Sequence, residues 1–438
     1  MQLLNYKYVV NLLIIYLNLE FNNGFRLATH VTPCLQSTTK ATIDQNVYRC
    51  SNSKMYDLLD TSIEDLQSGL TKNHFTSVDL VKAYITRIDE VNYKGPTLRA
   101  VLEISPTALK YAAELDGLRR NGTILSPLHG IPILLKDNIA TRFEDGMNTT
   151  AGSYALLGSI PPSDATVVKK LRDAGAILLG KAALSEWGAF RGFNTPNGWS
   201  GRGQQATSAF YPQGDACGSS TGSGISASIG LAAGTLGTET DGSIICPSNR
   251  NNLVGIKPTV GLTSRYLVVP LSQNQDTVGP MCRSVADAAA ILSIIAGRDS
   301  ADNYTLSQPS KVPNYTQHLK KNALKGARIG VLRKVFANAT TIGYPDYVIS
   351  EFNKTIEGVF KKLGAIIIDP ADLETADNIT TSENELTVLT FDLKYGIQKY
   401  LSQLKSVPTN VTNLQDIINY NNAHANLEFP PGRDNQDL

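Results

Sequence analysis

The sequence predicts an α/β protein in which helices cover both faces of a sheet. Its 438 residues are 42% hydrophobic and 18% charged, a composition typical of globular rather than disordered chains. Short runs of Ile, Leu, Val and Ala alternate with helical patterns from about residue 130 to about residue 368. Alternation of this kind favours a sheet with helices packed on both sides. No internal repeat is visible, so the chain lacks the signature of a repeat protein.

Three helices are predicted before the first strand. Ser62 is suited to cap the first helix, because Asp65 follows three residues later as in a capping box. Ser77 is predicted to cap the second helix. Pro106 opens the third, which is expected to end near Asn121-Gly122.

Strands and helices then follow one another along the chain. Apolar runs bounded by turn residues predict the strands, and longer periodic segments predict the helices. We place a hinge before the C-terminal part at Pro309–Leu319. The predicted strands are Ile131–Leu135, Ala176–Leu179, Thr235–Thr238, Leu253–Ile256, Ala327–Leu332 and Ala365–Ile368, and the predicted helices are Asp164–Ala174, Ile225–Ala233, Ser284–Ile295 and roughly Pro345–Leu363.

Charge and cysteine content exclude several function classes. The 40 basic and 39 acidic residues give a net charge of +1, so no basic field favours nucleic acid. The chain has five histidines and five cysteines without a Cys-x-x-Cys or His-x-x-x-His pair, so neither a metal site nor a cofactor is predicted. Cys34 and Cys50 are candidates for a disulfide, whereas Cys217 and Cys246 are expected to be buried thiols.

The N-terminus has the pattern of a secretory leader. Lys7 precedes an apolar run, Tyr8–Leu19, which is too short for a bilayer span and suits a signal peptide. We therefore expect a signal peptide over residues 1–25, a linker over 26–54, and a secreted glycoprotein with no stable membrane span. Glycosylation sequons begin at Asn121, Asn148, Asn303, Asn314, Asn338, Asn353, Asn378 and Asn410.

The stretch Cys217–Ser243 contains the candidate catalytic serines. Two Gly/Ser clusters flank the small apolar segment Ile225–Ala233. Glycine permits tight turns with unpaired amides, and the first cluster opens a predicted helix. Two serines on such turns suggest acyl transfer, with one nucleophile, one proton relay and backbone amides for an oxyanion.

This stretch resembles the signature region of the amidase signature family, and in particular its peptide-amidase branch. The similar segments run in the same order from about residue 60 to 297. The resemblance implies one α/β/α sandwich domain, residues 55–438, around a large mixed sheet. The motifs that carry it are 198–203 (GWSGRG), 239–244 (ETDGSI), Cys246-Pro247, 255–262 (GIKPTVGL) and 272–280 (SQNQDTVGP).

The resemblance also implies a Ser-Ser-Lys triad. It assigns Ser243 as nucleophile, Ser219 as bridging serine after a cis Gly218–Ser219 bond, and Lys136 as the base at the end of a predicted strand. A buried lysine loses charge more readily, which suits a base. On the residues alone Lys181 and Lys257 are equally suited, because both follow strand-like segments. Backbone amides of Thr240, Asp241, Gly242 and Ser243 are expected to hold the oxyanion.

Neighbouring polar residues receive structural or open roles. Ser220 and Ser223 are expected to bond the turn, Glu239 to be structural, and Arg202 to stabilise its loop. The Asp241 carboxylate has two candidate roles, contacting the substrate amide or capping a turn.

Two other motifs, one enzymatic and one for phosphate binding, are less consistent with the surrounding sequence. Gly218–Gly222 fits Gly-x-Ser-x-Gly with Ser220 as nucleophile, but the preceding segment is polar and not a strand. A phosphate-binding loop requires a lysine after its glycines, and none is present.

We expect an amidohydrolase that cleaves a peptide C-terminal amide or another small amide and releases ammonia or an amine. A fatty-acid amide hydrolase and a catalytically inactive secreted relative are the alternatives. The second arises because the chain stops at Leu438, where relatives of the branch continue. The sequence predicts neither the oligomeric state nor the amide that is cleaved.

Overall fold

A computed structural model describes residues 57–336, 346–376, 378, 382–433 and 436. The predicted leader and linker, the pair Cys34 and Cys50, and the sequon at Asn338 lie outside the described residues. The strands are β1 Val101–Ile104, β2 Pro132–Lys136, β3 Ile177–Ala182, β4 Trp199–Ser200, β5 Gln204–Gln205, β6 Gly234–Glu239, β7 Val254–Gly255, β8 Thr277–Cys282, β9 Arg328–Gly330 and β10 Ile366–Ile368.

The principal sheet is mixed, as predicted. Its six strands lie in the order β1-β3-β2-β6-β8-β7. The central strands β3, β2 and β6 are parallel, whereas β1, β8 and β7 pair antiparallel to their neighbours. Strands β9 and β10 form a separate parallel pair, and β4 and β5 a short antiparallel one.

Both faces of the principal sheet are covered. Successive residues of a strand point to opposite faces, and every residue of β2, β3, β6 and β8 is buried. This confirms the predicted α/β architecture. The helices are α1 Ile63–Thr71, α2 Ser77–Val91, α3 Ala108–Arg120, α4 Thr166–Asp173, α5 Thr221–Ser228, α6 Ile245–Arg250, α7 Val285–Ile295, α8 Arg333–Phe336, α9 Asp346–Thr355, continued by a π-turn over Ile356–Phe360, α10 Asn384–Gln403, α11 Leu414–Ala423 and α12 Ala425–Glu428.

The helix starts agree with the prediction at α1 and are shifted at α2 and α3. Helix α3 begins at Ala108, two residues after the predicted Pro106. Ser62 caps α1 through a capping box with Asp65, as predicted. The cap of α2 is Thr76 rather than Ser77, because Thr76 and Asp79 form the reciprocal pair of bonds. Ser77 is instead the first helical residue, and its N–H donates to the buried carboxylate of Asp116.

The elements that were not predicted include β1, β8 and α10. Strand β1 is short, and β8 contains Gly279 and Pro280, which are rare inside strands. Pro280 is accommodated because β8 is held by β6 on one side and by only two residues of β7 on the other. The 20-residue α10 was also missed, since its exposed face carries Val388, Phe391 and Tyr395 and blurs the amphipathic pattern.

Candidate active site

The strand directions bring the predicted site residues to one edge of the sheet. Lys136 ends β2 and Glu239 ends the parallel neighbour β6. Because β8 runs the other way, its start at Thr277, and Asp276 just before it, lie at the same edge. Carboxyl ends of parallel strands are the usual place for a ligand site in α/β sheets.

Lys136 is fully buried at this edge. Its Nζ donates hydrogen bonds to Ser219 Oγ at 2.7 Å and to the Thr238 carbonyl at 3.0 Å. Burial lowers the pKa of Lys136 to about 7, although the nearby carboxylates of Asp276 and Glu239 oppose the shift. A substantial fraction of the amine is therefore neutral at physiological pH.

Ser219 lies just before α5, and its peptide bond to Gly218 is cis. The next serine has a structural contact, as expected: Ser220 Oγ donates to the Thr238 carbonyl at 3.1 Å. Ser223 Oγ likewise donates to the Leu236 carbonyl at 3.0 Å. Both hydrogen bonds hold α5 against β6. The hydroxyl of Ser220 therefore has a structural partner in the turn.

The loop after β6 wraps around the carboxylate of Glu239, as its predicted structural role implies. Glu239 accepts the backbone N–H groups of Gly242 at 2.7 Å, Ile244 at 2.8 Å and Ile245 at 2.9 Å. Gly242 was expected to donate to an oxyanion, but here its N–H is already bonded to Glu239. Thr240 is anchored through its hydroxyl, which donates to Asp276 at 2.6 Å.

Ser219 and Ser243 line the same cavity. Both side chains are largely buried, at 1% and 8% exposure, and the Ser243 carbonyl accepts the Ser220 N–H at 3.1 Å. Thr240 also lines this cavity, whereas Asp241 is exposed beside it. One wall is apolar and consists of Trp187, Val268, Val269, Pro270 and Leu271.

A disulfide joins the two segments that carry the serines. Cys217 and Cys246 were expected to be thiols, but the structure pairs them, with Cα atoms 5.8 Å apart and a sequence separation of 29. The sequence gives no pairing signal, since tertiary contacts of α5 with β6 and with α6 bring the two segments together. Cys282 is a buried free thiol.

The other candidate lysines are separated from the serines by their contacts. Lys181 is buried, and its Nζ donates to the Ile139 carbonyl at 2.5 Å and to Thr149 Oγ1 at 2.9 Å. Burial lowers the pKa of Lys181 to about 8, against the attraction of Asp137. Lys257 is half-buried, and its Nζ contacts the Pro258 carbonyl at 3.5 Å. Of the three, Lys136 is the one that contacts Ser219.

Arg202 stabilises its loop, as predicted. Its guanidinium donates to Thr150 Oγ1 at 2.9 Å and to Glu103 at 3.4 Å. The Thr150 hydroxyl in turn donates to Asp137, the residue after Lys136. Arg202 therefore supports the strand end that carries Lys136.

Two carboxylates at the site, Asp276 and Asp392, had no role assigned from the sequence. Asp276 accepts the N–H groups of Leu271 at 2.8 Å and Ser272 at 3.0 Å, which shapes the loop of the apolar wall. Asp392 of α10 holds the same loop through Ser272 Oγ at 2.6 Å and Asn274 at 2.8 Å. The contacts of Asp392 join segments about 120 residues apart, so no local pattern predicts them.

Within the described parts of the chain, no cluster of three His, Cys, Asp or Glu side chains could hold a metal ion. None of the helices described has the length and apolar character required to cross a bilayer.

Known proteins share this architecture. A family model described as Amidase matches residues 79–419. A protein of Arthroderma benhamiae named "Putative amidase" is 45% identical over 395 residues, which cover 85% of this chain and 65% of that protein. The structure of native peptide amidase from Stenotrophomonas maltophilia aligns with a TM-score of 0.78 and 41% identity, covering 86% of this chain and 74% of that one. An amidase family protein from Bacillus anthracis aligns with a TM-score of 0.76 and 33% identity, covering 86% of this chain and 72% of that one.

These similarities extend through the site. The matched region includes Lys136, both serines and the loop after β6. These relatives are named as amidases, one of them as a peptide amidase. The chain spans just under two thirds of the length of the Arthroderma protein.

Proposed function

Because this chain belongs to the amidase family, we propose that it hydrolyses the terminal carboxamide of a peptide or another small amide with Ser243, Ser219 and Lys136. The observation that carries the proposal is the 2.7 Å hydrogen bond between Lys136 Nζ and Ser219 Oγ at the wall of the cavity that Ser243 also lines. The similarity to a structure named as a peptide amidase supports the substrate class.

The protonation state of Lys136 suits a base. A neutral amine has two N–H groups and one lone pair. The Thr238 carbonyl can only accept, so it takes an N–H of Lys136 at 3.0 Å. The lone pair is then left for the hydroxyl proton of Ser219. Burial lowers the pKa of Lys136 to about 7 and makes this arrangement accessible at neutral pH.

The reaction proceeds through an acyl-enzyme. Ser243 Oγ attacks the carboxamide carbon while its proton passes to Ser219, whose own proton passes to Lys136. The carbon–nitrogen bond breaks, and the proton returns through Ser219 to the nitrogen, which leaves as ammonia. Water then attacks the ester by the same relay, and a carboxylic acid is released.

Backbone N–H groups of the loop after β6 stabilise the negative oxygen of the intermediate. Asp241 and Ser243 contribute N–H groups alongside Thr240. Gly242 contributes only if its bond to Glu239 lengthens, since that N–H lies 2.7 Å from the carboxylate. Mutation of side chains tests these donors poorly, because the donors are backbone groups.

Ammonia release from a peptide amide tests the proposal. Wild type is expected to release ammonia, whereas Ser243→Ala and Lys136→Ala are expected to lose at least about a thousandfold in kcat. Ser220→Ala is the matched control, because Ser220 is bonded to Thr238 and lies outside the relay. Activity that survives in Ser243→Ala contradicts the triad, and a folded wild type without activity on any amide favours a non-catalytic protein.

We also propose that the protein is secreted. The Cys217–Cys246 disulfide supports this location, because disulfides persist in oxidising compartments. The sequons at Asn121, Asn303 and Asn410 are exposed, whereas the Asn148 amide donates to Glu103 at 3.1 Å. Expression in a secretory host should place the protein in the medium with glycans at exposed sequons and none at Asn148. Retention in the cytosol without glycans contradicts the proposal.

A further inference from the structure

Two buried polar atoms at the cavity have no hydrogen-bond partner among the described residues. They are the indole N–H of Trp187, a donor, and the side-chain oxygen of Asn138, an acceptor. Both residues line the cavity that contains Ser219 and Ser243, and both are 7% exposed. Buried polar groups in native proteins are nearly always hydrogen-bonded, so an unpaired donor and an unpaired acceptor beside one cavity point to a ligand.

The orientation of Asn138 is fixed by its neighbours. Its amide nitrogen donates to Thr238 Oγ1 at 3.0 Å and faces the Val269 carbonyl at 3.5 Å. A carbonyl can only accept, so the nitrogen of Asn138 must be the atom that faces Val269. The side-chain oxygen is therefore the atom without a partner, and it follows Lys136 by two residues at the end of β2.

Trp187 is held in a backbone conformation that large side chains rarely adopt. Its φ is 50° and its ψ is 34°, which lies in the left-handed region. Its backbone N–H donates to the Ala151 carbonyl at 2.9 Å, and its ring packs in an apolar cluster with Ala151, Val269 and Leu393. Strained residues of this kind are concentrated at functional sites.

We infer that Trp187 and Asn138 are the specificity-determining pair for the acyl side of the substrate. The indole N–H donates to a carbonyl and the Asn138 oxygen accepts an N–H, both from the amide group that precedes the scissile carboxamide. This inference rests on the proposed amidase function. The substrate is then an N-acylated amino acid amide, as in a peptide, rather than an amide with a plain hydrocarbon chain.

Hydrocarbon amides fit this pair poorly. An alkyl or aryl chain next to the scissile carbonyl has neither donor nor acceptor. Such a chain packs against the apolar wall, but it leaves the indole N–H of Trp187 and the side-chain oxygen of Asn138 without a partner and excluded from water. Sites built to bond a polar group reject analogues that lack it, and we expect roughly tenfold discrimination or more from each group.

Paired substrates test the inference. N-acetylphenylalanine amide carries the preceding amide, and 3-phenylpropanamide keeps the ring and the carboxamide but lacks it. Wild type should show a kcat/KM about a hundredfold higher for the first, roughly tenfold from each of the two groups. Trp187→Phe should lower the first value by roughly tenfold more than the second, so that the preference shrinks. N-methylation of the preceding nitrogen should cost wild type a similar factor, because it removes the N–H that Asn138 accepts.

Trp199→Phe is the matched control. It makes the same chemical change at the second of the two tryptophans, which is buried and does not line the cavity. It should alter neither kcat/KM value, and it leaves Trp187 as the sole source of indole fluorescence. In a Ser243→Ala background, the emission of this single-tryptophan protein should shift on saturation with N-acetylphenylalanine amide.

The outcomes separate the two proposals. Release of ammonia from neither substrate by folded wild type overturns the proposed function. Equal kcat/KM for both substrates in wild type overturns this inference alone. An equal loss on both substrates in Trp187→Phe also overturns it, since that result indicates a packing role for the ring. An unchanged preference in Trp187→Phe has the same consequence.

Discussion

The carboxylate of Glu239 lies 2.7 Å from the backbone N–H of Gly242 and accepts a hydrogen bond from it. The second oxygen of Glu239 accepts two further N–H groups, those of Ile244 and Ile245, on the other side of Ser243. One buried side chain therefore fixes the loop before and after the proposed nucleophile. This contact makes the position of Ser243 depend on Glu239.

Glu239→Gln should impair catalysis more than folding. The amide nitrogen of glutamine cannot accept from an N–H, so at least one of the three loop contacts is lost. We expect kcat to fall about a hundredfold, as misplacement of a reacting group does. Ammonia release measures the loss, and circular dichroism checks folding. Glu239→Gln with wild-type kcat contradicts the positioning role.

The pH dependence of kcat/KM should rise with pH. Burial lowers the pKa of Lys136 to about 7, and only the neutral amine accepts a proton. The rate should therefore climb about tenfold per pH unit below this pKa and level off above it. A profile that is flat from pH 5 to pH 9 contradicts the role of Lys136.

Lys181→Met provides the control for the midpoint of this pH profile of kcat/KM. The amine of Lys181 is also buried, and its pKa is lowered to about 8. Lys181→Met should keep the midpoint near 7 in whatever activity it retains, because Lys181 bonds Ile139 and Thr149 rather than a serine. A midpoint that disappears in Lys181→Met assigns the base to Lys181.

Lys136→Met should stabilise the fold while abolishing activity. A pKa lowered from 10.5 to about 7 corresponds to roughly 5 kcal/mol of penalty for the charged amine at and below pH 7. Loss of the bonds to Ser219 and Thr238 offsets part of this, so a net gain of about 2 kcal/mol is expected at pH 7.

The stability advantage of Lys136→Met over wild type should depend on pH, and the sign of this dependence follows from proton binding. Between pH 7 and 10.5 the unfolded chain holds more protons at this lysine than the folded one, so wild type gains stability as pH rises. The advantage of Lys136→Met should therefore shrink toward pH 10. Urea unfolding at pH 7 and pH 9.5 measures the difference. An advantage that grows with pH contradicts a neutral buried amine.

Removal of the disulfide should destabilise the protein. Cys217 and Cys246 close a loop of 29 residues, for which chain entropy gives about 3–4 kcal/mol. The Cys217→Ser/Cys246→Ser variant should melt at a lower temperature than wild type. Dithiothreitol should lower the melting temperature of wild type by more than that of the variant. Wild type that is insensitive to the reductant under unfolding conditions contradicts a contribution from this bond.

Much of the fold could be predicted because its core elements carry local signals. The segments of β2, β3 and β6 are short apolar runs, and the Gly/Ser cluster begins the helix that follows. Strand β8 was missed since Gly279 and Pro280 contradict strand propensity, and its pairing with β6 and β7 stabilises it.

The site was predictable only in part. The family resemblance selected Lys136 over Lys181. The contact of Lys136 with Ser219 depends on the register of β2 with β6, which no single segment of the sequence encodes. The Cys217–Cys246 bond and the contacts of Asp276 and Asp392 join segments distant in sequence. Such contacts appear only when the chain is folded.

Covalent trapping of the acyl-enzyme tests the central claim most directly. Wild type is incubated with a serine-directed acylating inhibitor and digested, and the modified peptide is mapped by mass spectrometry. We predict a single adduct on Ser243 that is absent from Ser243→Ala and forms far more slowly in Lys136→Ala. An adduct on Ser219 or Ser220, or equal labelling of Lys136→Ala and wild type, would contradict the proposed triad.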